Sequence, residues 1–359
     1  MTFFIGAAGT GGHVFPGLSI GEALLSLGVS QSDIVYVGGD RLEAKVYPAE
    51  GYRFVEVELA GLKRSLTIDN IRIPGIVMKA RRVIAAEMVD SNAKVVLGMG
   101  GYVTIPVGMA ARNLRIPFFN AEQNAEAGLA NRVSSRWARA TFVSFKVTGG
   151  LTTGRWVGNP VRRPFWEFDR ESLRPEGRAR YGITGDVPVI GVFGGSLGSG
   201  VVNETVARMV SGWDGPAIAV VHLTGESHLE NMQSVNPGPD VHWARIGFED
   251  RMELFYAVCD LVVARSGGAV AELTATATPS ILVPGQFGSG GHQAGNARAL
   301  EMAGAALVVP EESIGQLPEA IEELIADRAR LSAMAAATSV IAKPDAARTI
   351  AREMIEAVT

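Results

Sequence analysis

A run of glycines with one histidine is the part of this 359-residue chain whose residue types could do chemistry most directly. Gly9-Thr10-Gly11-Gly12-His13 follows the apolar segment Phe3-Phe4-Ile5 and precedes a helical pattern that begins near Gly17. Because glycine allows positive φ and has no side chain, backbone N–H groups here can close on a phosphate at the positive end of the next helix. His13 is then the candidate general base. The alternative is a tight strand-to-helix turn that His13 merely caps.

Two further polar segments in the first half also follow apolar strands. Gly98-Met99-Gly100-Gly101-Tyr102 is a second glycine-rich turn, and with the first it could hold a diphosphate from two sides. The run Asn120-Ala121-Glu122-Gln123-Asn124 is predicted to come directly after a strand that ends at Phe119. Open α/β sheets bind ligands at the carboxyl ends of their strands. We therefore expect ligand contacts from both segments, with a purely structural turn as the alternative for the polar run.

The second half repeats the arrangement of strand, glycines and helix. Gly194-Gly195-Ser196 follows an apolar strand, so Ser196 is placed where a helix N-terminus would meet a phosphate. Arg265-Ser266-Gly267-Gly268 follows another strand, and Glu272 lies in the helix after it. A carboxylate among phosphate-binding turns would repel phosphate but could accept hydrogen bonds from both hydroxyls of a ribose. The alternative for Glu272 is a surface residue.

A polar, glycine-rich loop closes this series. It runs from Pro284 through Gln286, His292 and Gln293 to Asn296, and its side chains suit the hydroxyls of a sugar. The five histidines of the chain form no paired pattern with carboxylates, so we expect no metal site.

Composition restricts the class of protein. The length suits two domains, and the apolar content of 47% can fill two cores. A net charge of −4 gives no reason to expect nucleic acid. The single cysteine, Cys259, lies in an apolar run and indicates a buried thiol in a reducing compartment. The longest uncharged run, from Val95 to Ala111, is too short and too rich in glycine for a membrane-spanning helix.

Apolar β-type runs alternate with helical patterns along the chain, which is typical of parallel, doubly wound sheets. A Pro- and charge-rich stretch at 160–182 separates two such series, so we predict two similar α/β domains joined near 159–180 and facing each other across a cleft. A last helical pattern, Pro344 to Val358, needs an apolar surface to cover. The predicted strands are Phe3–Gly6, Ile34–Val37, Phe54–Val57, Val95–Leu97, Pro117–Phe119, Thr141–Val143, Val189–Phe193, Ile218–Leu223, Val241–Ile246, Leu261–Ala264, Ile281–Pro284 and Ala306–Val309.

One segment, 61–83, is basic and apolar in an otherwise acidic protein, with a net charge of +5. Cationic and bulky apolar side chains on one short segment are typical of a surface that touches anionic lipid. The alternative is a solvated helix with one core face. The candidate membrane contacts are Lys63, Arg64, Arg72, Ile73, Ile76, Lys79, Arg81 and Arg82.

The motifs together resemble one family in order and spacing over nearly the whole chain. The chain is similar to the MurG family, the N-acetylglucosaminyltransferases of peptidoglycan synthesis. The motifs that carry the resemblance are GTGGHVFPG at 9–17, GGYV at 100–103, EQN at 122–124, GNPVR at 158–162, GGS at 194–196, RSGG at 265–268 with Glu272, and HQ at 292–293 with Asn296.

The resemblance implies a GT-B fold of two Rossmann-like domains. An acceptor-binding, membrane-facing domain would comprise residues 1–160 and a C-terminal helix at about 344–359, and a UDP-sugar-binding domain would comprise residues 161–343. The implied activity is inverting transfer of N-acetylglucosamine from UDP-GlcNAc to the undecaprenyl-linked acceptor lipid I, which forms lipid II. It implies a peripheral location at the cytoplasmic face of the cell membrane, no required cofactor, and other proteins of cell-wall synthesis as candidate partners.

The family's site residues carry over by position, with His13 as the catalytic base. The implied donor contacts are Thr10, Gly11, Gly12, Asn124, Arg162, Ser196, Phe248, Glu272, His292 and Gln293. The acceptor diphosphate would contact Gly11, Gly12, Gly100, Gly101 and Tyr102. Three departures from the family pattern bear on the donor: Asn120 replaces a common histidine, Leu197 replaces a common glutamine, and the segment 266–272 is one residue shorter than usual.

Two other functions remain open from the residues. One is a related GT-B enzyme that acts on a different lipid or natural-product acceptor. The other is a nucleotide-sugar epimerase or a non-catalytic nucleotide-binding module. An epimerase would release UDP from UDP-GlcNAc without an acceptor, whereas a transferase should need one.

Overall fold

The computed structural model describes residues 1–59, 69–195, 197–285 and 291–358, with side chains for all of these except residues 69–72. The chain divides into an N-terminal unit, Met1–Arg163 with Lys343–Thr359, and a C-terminal unit, Pro164–Ala342. Each unit is described by itself. Among the described residues, none of the helices combines the length and hydropathy that a membrane crossing requires.

Both units alternate strands and helices, as the sequence predicts. The described strands are β1 (Thr2–Gly6), β2 (Ile34–Gly38), β3 (Arg53–Glu56), β4 (Ala93–Gly98), β5 (Phe118–Glu122), β6 (Ala140–Val143), β7 (Arg155–Trp156), β8 (Val189–Phe193), β9 (Ile218–Leu223), β10 (Val241–Ile246), β11 (Leu261–Ala264), β12 (Ser280–Leu282) and β13 (Ala306–Val308). The described helices are α1 (Gly11–Ser26), α2 (Glu43–Ala49), α3 (Asp69–Asp90), α4 (Thr104–Leu114), α5 (Leu129–Ser134), α6 (Arg170–Arg180), α7 (Gly200–Ser211), α8 (Leu229–Gln233), α9 (Met252–Val258), α10 (Ala269–Ala275), α11 (His292–Met302), α12 (Leu317–Ala326), α13 (Arg328–Ile341) and α14 (Ala346–Glu356).

The N-terminal unit is built on a seven-stranded parallel sheet in the order β3-β2-β1-β4-β5-β6-β7. In its central register, Phe4 pairs with Val35 on one side and Val96 on the other, and all three are fully buried. Helices on both faces of a parallel sheet leave the inner strands no polar surface, which explains the unbroken apolar runs. The two-residue strand β7 was not predicted, because it is too short to give a periodic pattern.

Helix α1 is set on this sheet by two buried tyrosines. The hydroxyl of Tyr36 donates to the backbone oxygen of Gly17, and the hydroxyl of Tyr47 donates to that of Val14, both at 3.0 Å. The two rings stack with their centroids 3.9 Å apart. A Cβ on Gly17 would lie 2.8 Å from the Tyr47 hydroxyl, and one on Gly21 would lie 2.0 Å from that of Tyr36. These glycines therefore allow the close approach of helix and sheet.

The C-terminal helix α14 belongs to the N-terminal unit and packs against α1. Its apolar stripe includes Ile350 and Met354, which are fully buried, so the predicted need for an apolar surface is met. The returning chain passes Gly158, whose φ is +90° and whose added Cβ would lie 2.2 Å from the Cβ of Lys343. The ammonium of Lys343 lies 4.4 Å from the ring centroid of Trp156.

The C-terminal unit is built on a six-stranded parallel sheet in the order β10-β9-β8-β11-β12-β13. Four of its strands, β8 to β11, begin and end where the sequence predicts. Cys259 is fully buried, as expected, and burial raises the pKa of its thiol well above the usual range. It is therefore an inert part of the core.

Helix α6 occupies part of the stretch near which the sequence predicts that the two domains join. The helix is rich in arginine, and of these residues Arg170 points inward whereas Arg180 is 42% exposed. Asp169 caps the helix by accepting from the N–H groups of Glu171 and Ser172. Arg170 then donates to several oxygens of the unit's interior. The charged sequence therefore forms an ordered helix of the C-terminal unit.

His222 on β9 is a core residue and not a ligand. It is fully buried, and its Nε2 lies 3.0 Å from the Oδ1 of Asn203, whose amide nitrogen donates to the backbone oxygen of Thr224. The imidazole also stacks on Trp243, with the ring centroids 6.0 Å apart. Burial lowers the pKa of His222 from 6.5 to about 3.

This buried histidine predicts a pH dependence of stability. Between pH 6.5 and about 3, the unfolded chain binds a proton at His222 that the folded chain does not. The free energy of unfolding therefore decreases by about 1.4 kcal/mol for each unit by which the pH is lowered in this range. We expect His222→Gln, whose amide can still donate to Asn203, to lack this contribution. Urea denaturation at pH 7 and pH 5 should show the wild type losing about 2 kcal/mol more than the variant. Equal losses would contradict a neutral His222.

Candidate active site

The first glycine turn differs in one respect from the predicted loop. Helix α1 begins at Gly11 and not near Gly17. Pro16 lies within its second turn and does not interrupt the helix. Gly11, Gly12 and His13 therefore form the first helical turn, and of the three glycines here only Gly9 has positive φ, at +107°. The N–H of His13 donates to the backbone oxygen of Thr10 at 3.0 Å, whereas the first N–H groups of a helix have no acceptor within it. The turn can still bind an anion, through a helix N-terminus and not through a wide loop.

A buried carboxylate holds this turn in place. Glu43, only 1% exposed, accepts from the N–H of Gly9 at 3.1 Å and from the N–H of Gly39 at 3.0 Å. It thus connects the segments that follow β1 and β2. Glu43 was not predicted as a site residue, because a glutamate in a polar segment is typical of an exposed surface.

The second glycine turn contacts the first through His13. Strands β1 and β4 are neighbours, so the segments after them meet at one edge of the sheet. Gly100 has a φ of +92°, and a Cβ there would lie 2.9 Å from the Cδ2 and 3.0 Å from the Nε2 of His13. Gly101 has a φ of +72°, and a Cβ there would lie 2.6 Å from the backbone oxygen of Ala8. Tyr102 is half exposed beside them. The two turns and His13 therefore form one continuous surface.

The polar run after this point does not follow its strand as predicted. Strand β5 continues to Glu122, so Asn120 and Glu122 lie inside it, and both are buried. Asn120 donates to the backbone oxygen of Asn131 at 3.1 Å. Glu122 accepts from the N–H groups of Asn124 and Gly128, at 2.9 and 3.0 Å, and from the amide of Asn131 at 2.8 Å. The prediction failed because an unbroken apolar run marks only part of a strand. Of the run, Asn124 keeps a partly exposed side chain.

Two other predicted donor contacts lie in the N-terminal unit. Thr10 precedes α1 and is exposed. Arg162 is partly exposed near Glu22 of α1. Burial raises the pKa of the Glu22 carboxyl, and the N–H of Arg163, 3.1 Å away, together with the charge of Arg162, opposes that rise.

The glycine turn of the C-terminal unit is tightly packed. Gly198 has a φ of +78°, and a Cβ there would lie 2.0 Å from the backbone oxygen of Thr224. The turn leads to Ser199, which precedes α7. Leu197, one of the departures from the family pattern, is 83% exposed. Ser196, the predicted phosphate contact, lies outside the described residues.

Arg265 holds the ends of this unit's strands together. Its guanidinium donates to Ser199 Oγ at 2.8 Å and to the backbone oxygen of Val283 at 3.2 Å, and it forms an ion pair with Glu311 at 2.5 Å. The side chain is only 11% exposed. Since its charge is paired and its donors point at protein oxygens, Arg265 supports the site and does not face a ligand.

The sugar-binding loop predicted at 284–296 is partly described. Gln286 lies outside the described residues. The Oε1 of Gln293 accepts from the N–H of Gly285 at 2.7 Å, and its backbone oxygen accepts from the hydroxyl of buried Ser266 at 2.7 Å. Asn296 donates to the backbone oxygen of Ser266 at 3.0 Å. His292 begins α11, and its Nδ1 is buried. Gln293 and Asn296 therefore fix the loop to the turn after β11.

Glu272 projects from the first turn of α10 and is partly exposed. Its Oε2 accepts a hydrogen bond at 3.0 Å from the hydroxyl of Tyr256, a fully buried residue of α9. Tyr256 was not predicted as a site residue, because a tyrosine in an apolar helix is typical of a core position. Phe248, another predicted donor contact, is 59% exposed.

The basic segment is described only in part. Lys63 and Arg64 lie outside the described residues, as does the side chain of Arg72. Lys79 forms an exposed ion pair with Glu58 at 2.8 Å. Ile73, Ile76 and Arg81 are partly buried, and Arg82 is exposed. Ala80, Ile84 and Met88 form the core face of α3. The described part of the segment therefore has a core face, as the alternative of a solvated helix predicts, and it also carries the exposed basic residue Arg82.

The described residues contain no group of three or more His, Cys, Asp or Glu side chains arranged to hold a metal ion.

Comparison with known proteins identifies the family. The glycosyltransferase family 28 N-terminal domain matches residues 3–143, and the family 28 C-terminal domain matches residues 189–350. A protein of Mycobacterium sp. (strain KMS) is 35% identical, over 99% of this chain and 95% of its own. It is named UDP-N-acetylglucosamine--N-acetylmuramyl-(pentapeptide) pyrophosphoryl-undecaprenol N-acetylglucosamine transferase. This chain belongs to the MurG family of glycosyltransferases.

Two further comparisons agree with that assignment. A protein of the same name from Acidithiobacillus ferrooxidans (strain ATCC 53993 / BNL-5-31) is 37% identical, over 98% of this chain and 96% of its own. The crystal structure of Acinetobacter baumannii MurG matches with a TM-score of 0.82 at 24% identity, over 99% of this chain and all of that one. The resemblance to the MurG family and the α/β fold of two Rossmann-like units are confirmed.

The contact between Gly100 and His13 gives a prediction with a matched control. Gly100→Ala forces an L-residue into positive φ, which costs about 1–2 kcal/mol, and its Cβ also displaces the His13 ring. Gly28→Ala imposes a similar φ, +91°, where nothing lies within 4 Å of the added Cβ. We expect both variants to lose stability in urea denaturation and only Gly100→Ala to lose most glycosyl transfer. Equal activities of the two variants would contradict the role given to this contact.

Proposed function

We propose that this protein transfers N-acetylglucosamine from UDP-GlcNAc to undecaprenyl-diphosphate-linked N-acetylmuramoyl-pentapeptide, which forms lipid II in peptidoglycan synthesis. The observation that carries the proposal is the identity of 35% with a transferase of that name over 99% of this chain and 95% of that protein. Because the match spans both units, it includes every turn described above.

The donor binds to the C-terminal unit in this proposal. Glu272 accepts from the ribose hydroxyls, and the glycine turn before α7 faces the diphosphate. Gln293 and His292 contact the sugar. What supports this assignment is that the partly exposed Glu272 carboxylate follows β11, while the turn follows the neighbouring strand β8. Carboxyl ends of adjacent parallel strands are where open sheets bind ligands.

The acceptor binds to the N-terminal unit. Its diphosphate lies between the first turn of α1 and the turn at Gly100 and Gly101, where backbone N–H groups and the helix dipole favour an anion. His13, in the first of these turns, lies against Gly100 of the second. Since the Nδ1 of His13 is buried, Nε2 is the nitrogen that would face the acceptor's sugar hydroxyl.

The reaction is a single inverting displacement. The acceptor hydroxyl attacks the anomeric carbon, its proton passes to His13, and the bond from that carbon to the UDP oxygen breaks. A neutral imidazole can take the proton near pH 7. The N-terminus of α7 stabilises the leaving diphosphate. Holding both substrates removes much of the entropic barrier.

The test is an assay of UDP release from UDP-GlcNAc with and without a lipid I analogue. We expect release only with the analogue, and a disaccharide product of inverted configuration. UDP release without an acceptor would instead favour an epimerase. His13→Ala should lower turnover by about 100- to 10,000-fold, because base catalysis typically supplies that factor. UDP-GlcNAc affinity, measured by calorimetry, should stay within about twofold. Near-normal turnover of His13→Ala would show that another group takes the proton.

We also propose that helix α3 brings the protein to the cytoplasmic face of the cell membrane. Arg82 is exposed on this helix, and Val83 and Val89 beside it are 45% and 62% exposed. Exposed cationic and apolar side chains on one helix suit an anionic lipid surface. A location there would give the enzyme access to an undecaprenyl-linked acceptor and to other proteins of cell-wall synthesis.

Reversal of one charge tests the membrane proposal. Each basic residue near an anionic surface contributes about 1 kcal/mol, so Arg82→Glu should weaken binding to anionic vesicles by about 30-fold. Arg328→Glu makes the same change in net charge at an exposed residue of the C-terminal unit and should bind as the wild type does. Co-sedimentation with vesicles containing phosphatidylglycerol measures both. Equal binding of the two variants would overturn the proposal.

A further inference from the structure

The hydroxyl of Tyr256 donates, from inside the core of the C-terminal unit, to a partly exposed carboxylate. The side chain is fully buried, yet its oxygen lies 3.0 Å from the Oε2 of the partly exposed Glu272. The ring packs edge-on against Phe165 and Phe193, with centroid distances of 5.8 and 6.3 Å. Because these rings enclose it, Tyr256 presents its hydroxyl to Glu272 from one fixed direction.

A second interaction fixes the two helices that carry this pair. Arg170 donates to the backbone oxygens of Tyr256 and Cys259, at 2.6 and 2.7 Å, at the end of α9. It also donates to the backbone oxygen of Thr276 at 3.0 Å and to the hydroxyl of Thr278 at 2.7 Å, just after α10. One guanidinium therefore holds the C-terminal ends of both helices, which sets the distance between the phenol and the carboxylate.

We propose that Tyr256 is a positioning residue that sets the selectivity of this enzyme for ribonucleotide donors, an inference that rests on the proposed function of Glu272 as the ribose carboxylate. A carboxylate has about four lone-pair sites. The phenol occupies one of them on Oε2 and restricts the rotation of the carboxylate, which orients the group toward the two ribose hydroxyls. A glutamate without this bond would have to be ordered by the nucleotide itself, and part of the binding free energy would be lost.

The test measures by calorimetry how Tyr256→Phe changes the affinity for two nucleotides, UDP and 2′,3′-dideoxy-UDP. Tyr256→Phe removes only the hydroxyl and keeps the ring packing. We expect it to weaken UDP binding about tenfold and to leave the binding of 2′,3′-dideoxy-UDP within about twofold, because that nucleotide has no ribose hydroxyls to meet Glu272. The ratio of the two affinities does not depend on the fraction of folded protein.

A matched control removes a similar bond elsewhere in the same unit. The hydroxyl of Tyr181 donates to the buried carboxylate of Glu249 at 2.8 Å. Tyr181→Phe should lower the melting temperature and leave the affinity ratio unchanged. If Tyr256→Phe weakens both nucleotides equally, as a merely structural residue would, the inference is overturned.

A third variant separates this inference from the proposal on which it rests. Glu272→Gln should weaken UDP binding and leave dideoxy-UDP binding unchanged, and Tyr256→Phe should have little further effect in that background. If Glu272→Gln changes neither affinity, the ribose assignment itself is wrong. If Glu272→Gln weakens UDP binding and Tyr256→Phe does not, the donor site stands and the positioning role of Tyr256 is refuted.

Discussion

The N-terminal unit depends on how closely α1 can approach its sheet. Two buried phenols, Tyr36 and Tyr47, donate to backbone oxygens of the helix, and they fit only because Gly17 and Gly21 have no side chains. A buried hydroxyl without an acceptor would cost about 1–3 kcal/mol. The two hydrogen bonds therefore fix the position of α1 relative to the sheet. Because His13 lies in the first turn of α1, they also fix the position of His13.

The position of His13 has a second condition at the edge of the sheet. Its ring occupies the space that a side chain on Gly100 would fill, and Glu43 ties the turn before α1 to the segment after β2. Glu43 is a buried carboxylate whose partners are backbone N–H groups, and the two tyrosines are buried phenols whose partners are backbone oxygens. Such bonds are costly to break, so the candidate catalytic surface of this unit is held by buried groups of the interior.

The sequence predicts most of the fold because the inner strands are unbroken apolar runs. Strands β8 and β11 begin and end as predicted, and the pairing of the two glycine turns at one sheet edge follows from the topology. The start of α1 was not predicted because Gly11, Gly12 and Pro16 have low helix propensity. Of the candidate site, His13 and Glu272 could be found from local patterns. The residues that hold them in place, such as Tyr47 and Tyr256, could not be found in this way. The hydrogen-bond partner of each phenol lies far away in the sequence, and neither composition nor a local pattern indicates it.

Helix α6 is rich in arginine, yet its Arg170 is partly buried with neutral oxygens as its acceptors. Burial lowers the pKa of its guanidinium, but the carbonyl ends of α9 and α10 carry partial negative charge and favour the cation. A carboxylate partner would have brought further negative charge into the same unit as Glu272. Carbonyl oxygens let Arg170 join the helices without that charge, which suits a unit proposed to receive a diphosphate.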